Sequence, residues 1–435
     1  MNSFLQDIRY GIRAQLANPV ASIIAIFTLA LGIGANTAIF SIINGILLRP
    51  LNFKNADRLV MLWQNNPSIN IGYSYFPVSP GNFVDWRNGG KSFDAMAAMR
   101  LVKFNLSGRG LPKRVEGIEV SYNFFNLLGI EPEVGYGFSR EQEQSGGDKV
   151  VLLSNSFWKS EFGGSRDIVG KKLTFNNVSY IVIGAMPEGA NFPTSSDMPA
   201  FMGFPRRVDF WVPLALTNQE ISNRGNISLG VIARLKDGVR LNEAQAEMSG
   251  IAEKLGQVYP QNRGFGVTML TLRKQILGDI GSPLLILMGA VVLVLLIAGI
   301  NVASLTLARA TSRTSEIATR IALGAGPYRI IRQLLIESTT LALLGGCLGL
   351  LVNMLCMDLI LKLGSNSLPR IGEIRTDASV LTFMLAVSLL TGILFGLAPA
   401  LQTKKLDIAE SLTEGSRGAT VGRRQGRARV LLVLV

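Results

Sequence analysis

Arg309-Ala-Thr-Ser-Arg-Thr-Ser-Glu-Ile-Ala-Thr-Arg-Ile-Ala-Leu-Gly-Ala-Gly-Pro327 is a charged stretch set between two apolar runs, residues 282–308 and 334–361. About 20 consecutive apolar residues cross the hydrocarbon core of a bilayer. Both runs therefore read as transmembrane helices, and residues 309–333 as the segment that joins them. Two further runs pass the same test, residues 20–48 and 380–401. The first is too long for the apolar part of a signal peptide, and no small-residue cleavage pattern follows it, so it reads as a retained span.

Composition agrees with a membrane protein. The chain has 435 residues, 48% of them hydrophobic, and the apolar residues are clustered rather than dispersed. Its formal net charge is +13. The basic residues crowd beside the apolar runs, which points to topology and anionic lipid rather than to nucleic acid. Histidine is absent, which excludes imidazole bases, His-Asp arrangements and histidine metal sites. Cys347 and Cys356 both fall in one apolar run and read as small membrane-helix residues.

Charge also sets the expected orientation. Residues 1–19 form an expected amphipathic surface helix with Phe4, Leu5, Ile8, Ile12 and Leu16 at helical spacing, and Arg9 and Arg13 between them. With four spans, this segment, residues 309–333 and the basic linker 402–429 share one side. All three are rich in Lys and Arg, so that side is cytoplasmic. Residues 49–281 and the short loop 362–379 then lie outside. Residues 430–435 read as the start of a further span, and more chain is expected beyond Val435.

The long outer segment mixes strand and helix signals, so the fold class is a four-helix membrane protein with an inserted α+β domain. Strands are expected at residues 114–120, 149–154, 180–185 and 229–235. Residues 172–175 and 178–183 flank Asn176-Asn177 as a hairpin. Helices are expected at 121–128 and 242–259. The latter places Ala244, Met248, Ile251, Leu255 and Val258 on one face, with Asn242 and Gln245 as a capping box. Residues 186–209 read as a long loop. Asn301, the one polar residue inside the second span, is expected to bond to a neighbouring helix. Gly32, Gly34 and Ala38 offer close helix packing, though small-residue spacing alone is a weak signal; the third span carries Gly345, Gly346 and Gly349.

Within the charged stretch, Glu316 precedes Arg320 by one turn, the favourable order on a helix. Gly324-Ala-Gly-Pro327 stops that helix, and Pro327 suits the start of the next. The product is a short surface helix joined without slack to a span. Spacing alone leaves it open whether this helix transmits force or only connects.

Glu316-Ile-Ala-Thr-Arg-Ile-Ala-Leu-Gly-Ala-Gly326, followed by Arg332-Gln-Leu-Leu-Ile-Glu337, resembles the hallmark of FtsX/MacB-type ABC transporter permeases. Leu29-Ala-Leu-Gly-Ile-Gly-Ala-Asn-Thr-Ala38, Val78-Ser-Pro-Gly-Asn-Phe-Val-Asp-Trp86, Gly184-Ala-Met-Pro187 and Gly396-Leu-Ala-Pro-Ala400 resemble the duplicated-permease (ADOP) subgroup. The resemblance covers essentially the whole chain. It implies a MacB-like periplasmic core domain between the first two spans, a bacterial inner-membrane location, and a coupling helix that docks on a cytoplasmic ABC ATPase. It implies a second permease half, fused or as a dimer, and departs from a complete subgroup member in having one half only.

On that resemblance, the residues expected to carry ATPase coupling are Arg313, Glu316, Arg320, Ala322, Gly324 and Gly326. Arg320 would face acidic groups of the partner and the glycines would let backbones approach; plain helix pairing and capping is the other reading. The sequence has no Gly-x-x-x-x-Gly-Lys-Ser/Thr loop, so ATP would be bound by the partner, and no cofactor, metal or catalytic residue is assigned to this chain. The expected function is mechanical transmission for export or extraction of a substrate, with a periplasmic adaptor or hydrolase as a further partner class. The rival is an FtsX-like regulatory scaffold that controls a cell-wall hydrolase. An enzyme in the outer domain is the weakest reading: Asp85, Glu116, Glu119 and Asp209 form no catalytic spacing.

Overall fold

The computed structural model describes residues 13, 15–16, 19–69, 72, 74–108, 111–144, 146–278, 280–312, 327–364 and 374–403. Most of the expected N-terminal amphipathic helix, the core of the charged stretch (313–326), nearly all of the basic linker and the run 430–435 lie outside these residues. The chain divides into two units, residues 1–49 with 280–435, and residues 50–279.

The second unit is inserted in the first and is built on one mixed sheet. Its strands are β1 (Leu59–Asn65), β2 (Phe93–Ser107), β3 (Lys113–Val120), β4 (Val134–Gly135), β5 (Val150–Leu153), β6 (Lys172–Phe175), β7 (Val178–Ala185), β8 (Phe210–Pro213), β9 (Gly230–Leu235) and β10 (Gly266–Thr271). They lie in the order β10-β1-β9-β2-β3-β8-β5-β7-β4, with β6 paired to β2 and β7. The β3–β8 and β5–β7 pairs are parallel and the others antiparallel. β2 is the spine: it pairs with β9, β3 and β6 along its length.

Alternation along the strands feeds two faces. Val60, Leu62, Ala98, Val231 and Ala233 face the helices α2 (Pro80–Gly89) and α6 (Leu241–Val258). Leu59, Met61, Trp63, Met99, Ile118 and Ile232 face the other way. There α3 (Phe124–Leu128), α7 (Leu272–Leu277) and the segment 186–209 cover them. That segment is irregular, as expected, yet it is packed: Met186, Phe192, Met198, Phe204 and Val208 are all buried. A third core gathers Val115, Phe175, Val182 and Phe210 beneath α4 (Asn155–Phe162), where Phe175 and Phe210 stack at 4.8 Å. The Asn176-Asn177 hairpin is present, with φ of 47° and 66° at its two turn residues. Asn tolerates this left-handed region better than most residues.

Three details of the insert's helices differ from the sequence reading. The capping pair is Arg240 and Glu243, whose carboxylate accepts from the Arg240 backbone N–H at 3.2 Å. Gln245 is drawn away to β10, where it donates to the Val267 carbonyl and accepts from the Met269 N–H, both at 2.8 Å. An edge strand presents unpaired backbone groups, and here a side-chain amide fills that place. Val258 is 67% exposed; the buried residues of α6 are Ala244, Met248 and Ala252, so its buried face stops short of the last turn. The short helix α3 begins at Phe124, after a turn at residues 122–123.

The membrane unit contains α1 (Pro19–Ile43), closed by a π-helical turn at Asn44–Leu48, α8 (Gly281–Ser312), α9 (Pro327–Gly364) and α10 (Ala378–Thr403). Four stretches within them are long and apolar enough to span a bilayer: Pro19–Leu48, Gly281–Ala308, Ile331–Ile360 and Ala378–Leu397. α9 makes its broadest contacts with α1 and α10. Ala25, Leu29, Ile33, Leu295, Val302, Leu341 and Ala342 form the shared core. Ile286, Leu293 and Ile297 of α8 face outward, the arrangement expected of a lipid-facing side.

Gln245→Leu is expected to leave one carbonyl and one N–H of β10 unpaired at about 1–3 kcal/mol. Thermal unfolding of the full chain in detergent should fall by several degrees, with faster amide exchange at Met269.

Candidate functional site

All six residues expected to carry ATPase coupling, Arg313, Glu316, Arg320, Ala322, Gly324 and Gly326, lie outside the described residues. What the structure does place are the two helices that enter and leave this segment. α8 ends at Ser312 and α9 starts at Pro327. The functional geometry is therefore the way α9 engages the other helices.

The α1–α9 contact is a backbone contact. A Cβ on Gly34 would stand 2.8 Å from the Gly349 carbonyl oxygen, and a Cβ on Gly349 would stand 3.0 Å from the carbonyl oxygen of Ala30. One turn away, a Cβ on Gly345 would meet the Leu29 Cβ at 2.8 Å. Ala30, Gly34 and Ala38 recur every four residues on α1, as do Gly345, Gly349 and Asn353 on α9. Small residues at this spacing let two membrane helices approach until their backbones touch. The α9–α10 contact follows the same logic. A Cβ on Gly392 would meet the Thr339 Cα at 2.7 Å, one on Gly396 the Ser338 Cβ at 2.8 Å, and one on Gly346 would strike the Ser388 hydroxyl.

Polar side chains then fix the helices in register. Asn36 donates to the Gly32 carbonyl within α1 and to the Val291 carbonyl of α8 at 2.8 Å. The helix-to-helix amide bond expected of Asn301 is thus made by Asn36, while Asn301 is exposed. Gln15, buried ahead of α1, donates to the Thr340 hydroxyl of α9 at 2.8 Å. At the other end of the helices, Arg49 pairs with Asp377 at 2.6 Å. Asn44 donates to the same carboxylate, and the Val380 N–H donates to it as well, which caps α10. The Arg49 hydrogen bond, then the Val380 N–H, hold the Asp377 carboxyl below its ordinary range. Asn353 of α9 donates to Thr376 at 3.3 Å.

In the inserted domain the motif Val78–Trp86 folds into a buried polar clasp. Ser79 caps α2 by accepting from the Asn82 N–H, and Pro80 occupies the first helical turn. Gly81 leaves room for the Ile221 carbonyl. Arg224, only 7% exposed at its side chain, pairs with Asp85 at 2.6 Å, donates to Asn82 at 2.7 Å and lies 3.5 Å over the Tyr259 ring. Asn262 donates to the same Asn82 oxygen at 2.8 Å. A second ionic group joins β2, β3 and α5 (Asn218–Ser222): Arg100 pairs with Glu119 at 2.5 Å and with Glu220 at 2.7 Å. Burial pushes the Glu119 carboxyl above its ordinary range despite Arg100. Among the described residues no cluster of three or more His, Cys, Asp or Glu could hold a metal.

Comparison with known proteins gives two family matches. Residues 22–251 match the MacB-like periplasmic core domain, and residues 288–408 match the FtsX-like permease C-terminal domain. The macrolide export ATP-binding/permease protein MacB of Salmonella typhi is 28% identical over 293 residues, covering 67% of this chain and 42% of the relative. MacB of Escherichia coli strain K12 gives the same figures. This chain therefore spans less than half the length of those relatives. Among solved structures, the periplasmic region of MacB from Actinobacillus actinomycetemcomitans is similar at 14% identity, with a TM-score of 0.38 over 55% of this chain and 98% of that one. The extracellular domain of the transporter YknZ from Gram-positive bacteria gives 12% identity and a TM-score of 0.34 over 48% and 99%.

Gly34→Ile is expected to force α1 and α9 apart and to cost about 1–3 kcal/mol of overpacking. Gly289→Ala is the control: nothing lies within 4 Å of a Cβ there, so unfolding of the full chain in nanodiscs should be unchanged or slightly delayed.

Proposed function

The chain belongs to the MacB-like periplasmic core domain family and carries an FtsX-like permease domain, and on that basis we propose that it transmits the ATP-driven motion of a partner ATPase across a membrane to its inserted domain. Permeases of this type work with ABC ATPases. In the proposed arrangement residues 313–326 form the coupling helix, with Arg313, Glu316, Arg320, Ala322, Gly324 and Gly326 at the ATPase surface. That helix leads directly into α9. A push on it moves α9, and the glycine-spaced contact passes the motion to α1.

The observation that carries this reading is that contact. Where Gly34 meets Gly349 the two helices stand backbone to backbone, with no flexible side chain at that point to absorb a displacement. α1 then leads through Arg49-Pro50 into the inserted domain, and α8 receives the chain on its return. The Lys and Arg distribution supports a cytoplasmic N-terminus and a bacterial inner-membrane location, with the inserted domain on the outer side. A second permease half, fused or as a dimer, completes the assembly. Substrate is handled in or beside the inserted domain for export or extraction. The hydrocarbon-facing side of α8, with Ile286, Leu293 and Ile297 exposed, supports mechanical transmission over passage of polar cargo along that face.

Affinity capture of the full chain in mild detergent, followed by mass spectrometry, tests the proposal. An ABC ATPase is expected with the wild type and is expected to be lost with Glu316→Lys and with Gly324→Trp. Wild-type chain that carries no ATPase after cross-linking contradicts the reading. A cell-wall hydrolase retained through the inserted domain would favour the regulatory scaffold instead.

A further inference from the structure

The last turn of α1 is not α-helical. The Arg49 N–H donates to the Asn44 carbonyl at 2.9 Å, five residues back, and Asn44–Leu48 form a π-turn. Asn44, Gly45 and Ile46 are buried, and Ile46 is fully so. Such turns are rare and tend to mark functional positions. Their rarity means that the α-helical register is the default, so something must favour this one.

The favouring group is Asp377. Asn44 and Arg49, the two residues tied by the π hydrogen bond, both direct their side chains at this one carboxylate. Residues five apart sit about 140° from one another around an α-helix. A hydrogen bond from residue i+5 to residue i brings them to nearly the same side. The π register is thus the one that lets both donors reach a single acceptor. Asp377 is fixed in turn, because it caps α10 through the Val380 N–H and because Thr376 beside it accepts from Asn353 of α9.

We propose that Asp377 is a latch that holds the π-turn at the outer end of α1 closed, and that displacement of α1 against α10 opens it. Opening lets the turn shift toward the α-helical register. A one-residue change of register turns the following chain by about 100° and advances it by about 1.5 Å. The chain that would turn is Arg49-Pro50, the entry to the inserted domain. An axial movement of α1 thereby becomes a rotation at that entry. This use of the latch rests on the transmission reading above; the latch itself does not.

At neutral pH titration does not open it. Asp377 has a folded pKa below its unfolded value, so its contribution is present at neutral pH and is lost only as pH falls through the lowered value. The switch is mechanical.

Asp377→Asn separates the latch from the cap, since Asn caps helices as well as Asp does. Hydrogen exchange on the full chain in nanodiscs should show Leu47–Arg49 amides exchanging at least tenfold faster in this variant, with α1 before Ile43 and α10 after Leu381 unchanged. Exchange within twofold of wild type at Leu47–Arg49, or acceleration along both helices alike, overturns the latch. In the wild-type assembly with its captured ATPase, a non-hydrolysable ATP analogue should accelerate the same amides. If the analogue alters exchange at Pro327–Leu334 but not at Leu47–Arg49, opening by displacement is wrong and transmission through α9 stands. If neither segment responds, the transmission reading itself fails.

Discussion

The near-contact of the Gly34 and Gly349 backbones is the constraint on which the membrane unit depends. In a bilayer, burial of apolar surface does not drive helices together, because lipid tails are as apolar as leucine. Close packing and hydrogen bonds must do so. Glycine at both positions, with Ala30 and Gly345 one turn away, permits that packing. Asn36 and Gln15 then anchor α1 to α8 and α9. An amide bonded to a neighbouring helix in hydrocarbon is worth about 1 kcal/mol, less than the packing but far more directional. Contact depth comes from the small residues, and register comes from the amides.

The inserted domain solves a different problem. It buries a full positive charge, Arg224, beneath α2 and α6. Removing a charge from water costs several kcal/mol unless its partners are well placed. Here Asp85 supplies the opposite charge, Asn82 an acceptor and Tyr259 a ring face. The same Asn82 accepts from Asn262, so α2, the turn before β9 and the turn after α6 meet in one network. Such a network specifies one arrangement of these elements more than it adds stability.

Much of the architecture was legible in the sequence. Four apolar runs announce helices because length and apolar composition together decide whether a helix can cross a bilayer. The α+β character of the insert and the Asn176-Asn177 hairpin follow from local turn chemistry. β1 was missed because its two buried faces make it a continuous apolar run without alternation, and β2 because Ala, Lys and Asn interrupt it. Gln245 was assigned to a cap because sequence cannot show that β10 returns to lie beside it. Small residues at Gly34 and Gly349 were visible, but their pairing across helices was not. Asn44, Arg49 and Asp377 were missed as a group, because more than 300 positions separate Asp377 from the other two. No local pattern records such a meeting. The six coupling residues were read from motif alone, and they lie outside the described residues.

In the proposed transmission, motion entering through α9 reaches the ends of α1 and α8 that hold the inserted domain. Leu48 and Ser282 stand at those ends and are exposed. Spin labels at these two positions, in chains reconstituted with the captured ATPase and diluted with unlabelled chains, report the distance between them by electron–electron resonance. This distance distribution is expected to shift when a non-hydrolysable ATP analogue is added, and only with the ATPase present. An unchanged distribution, with the ATPase bound and shown to close on nucleotide, would contradict the proposed transmission.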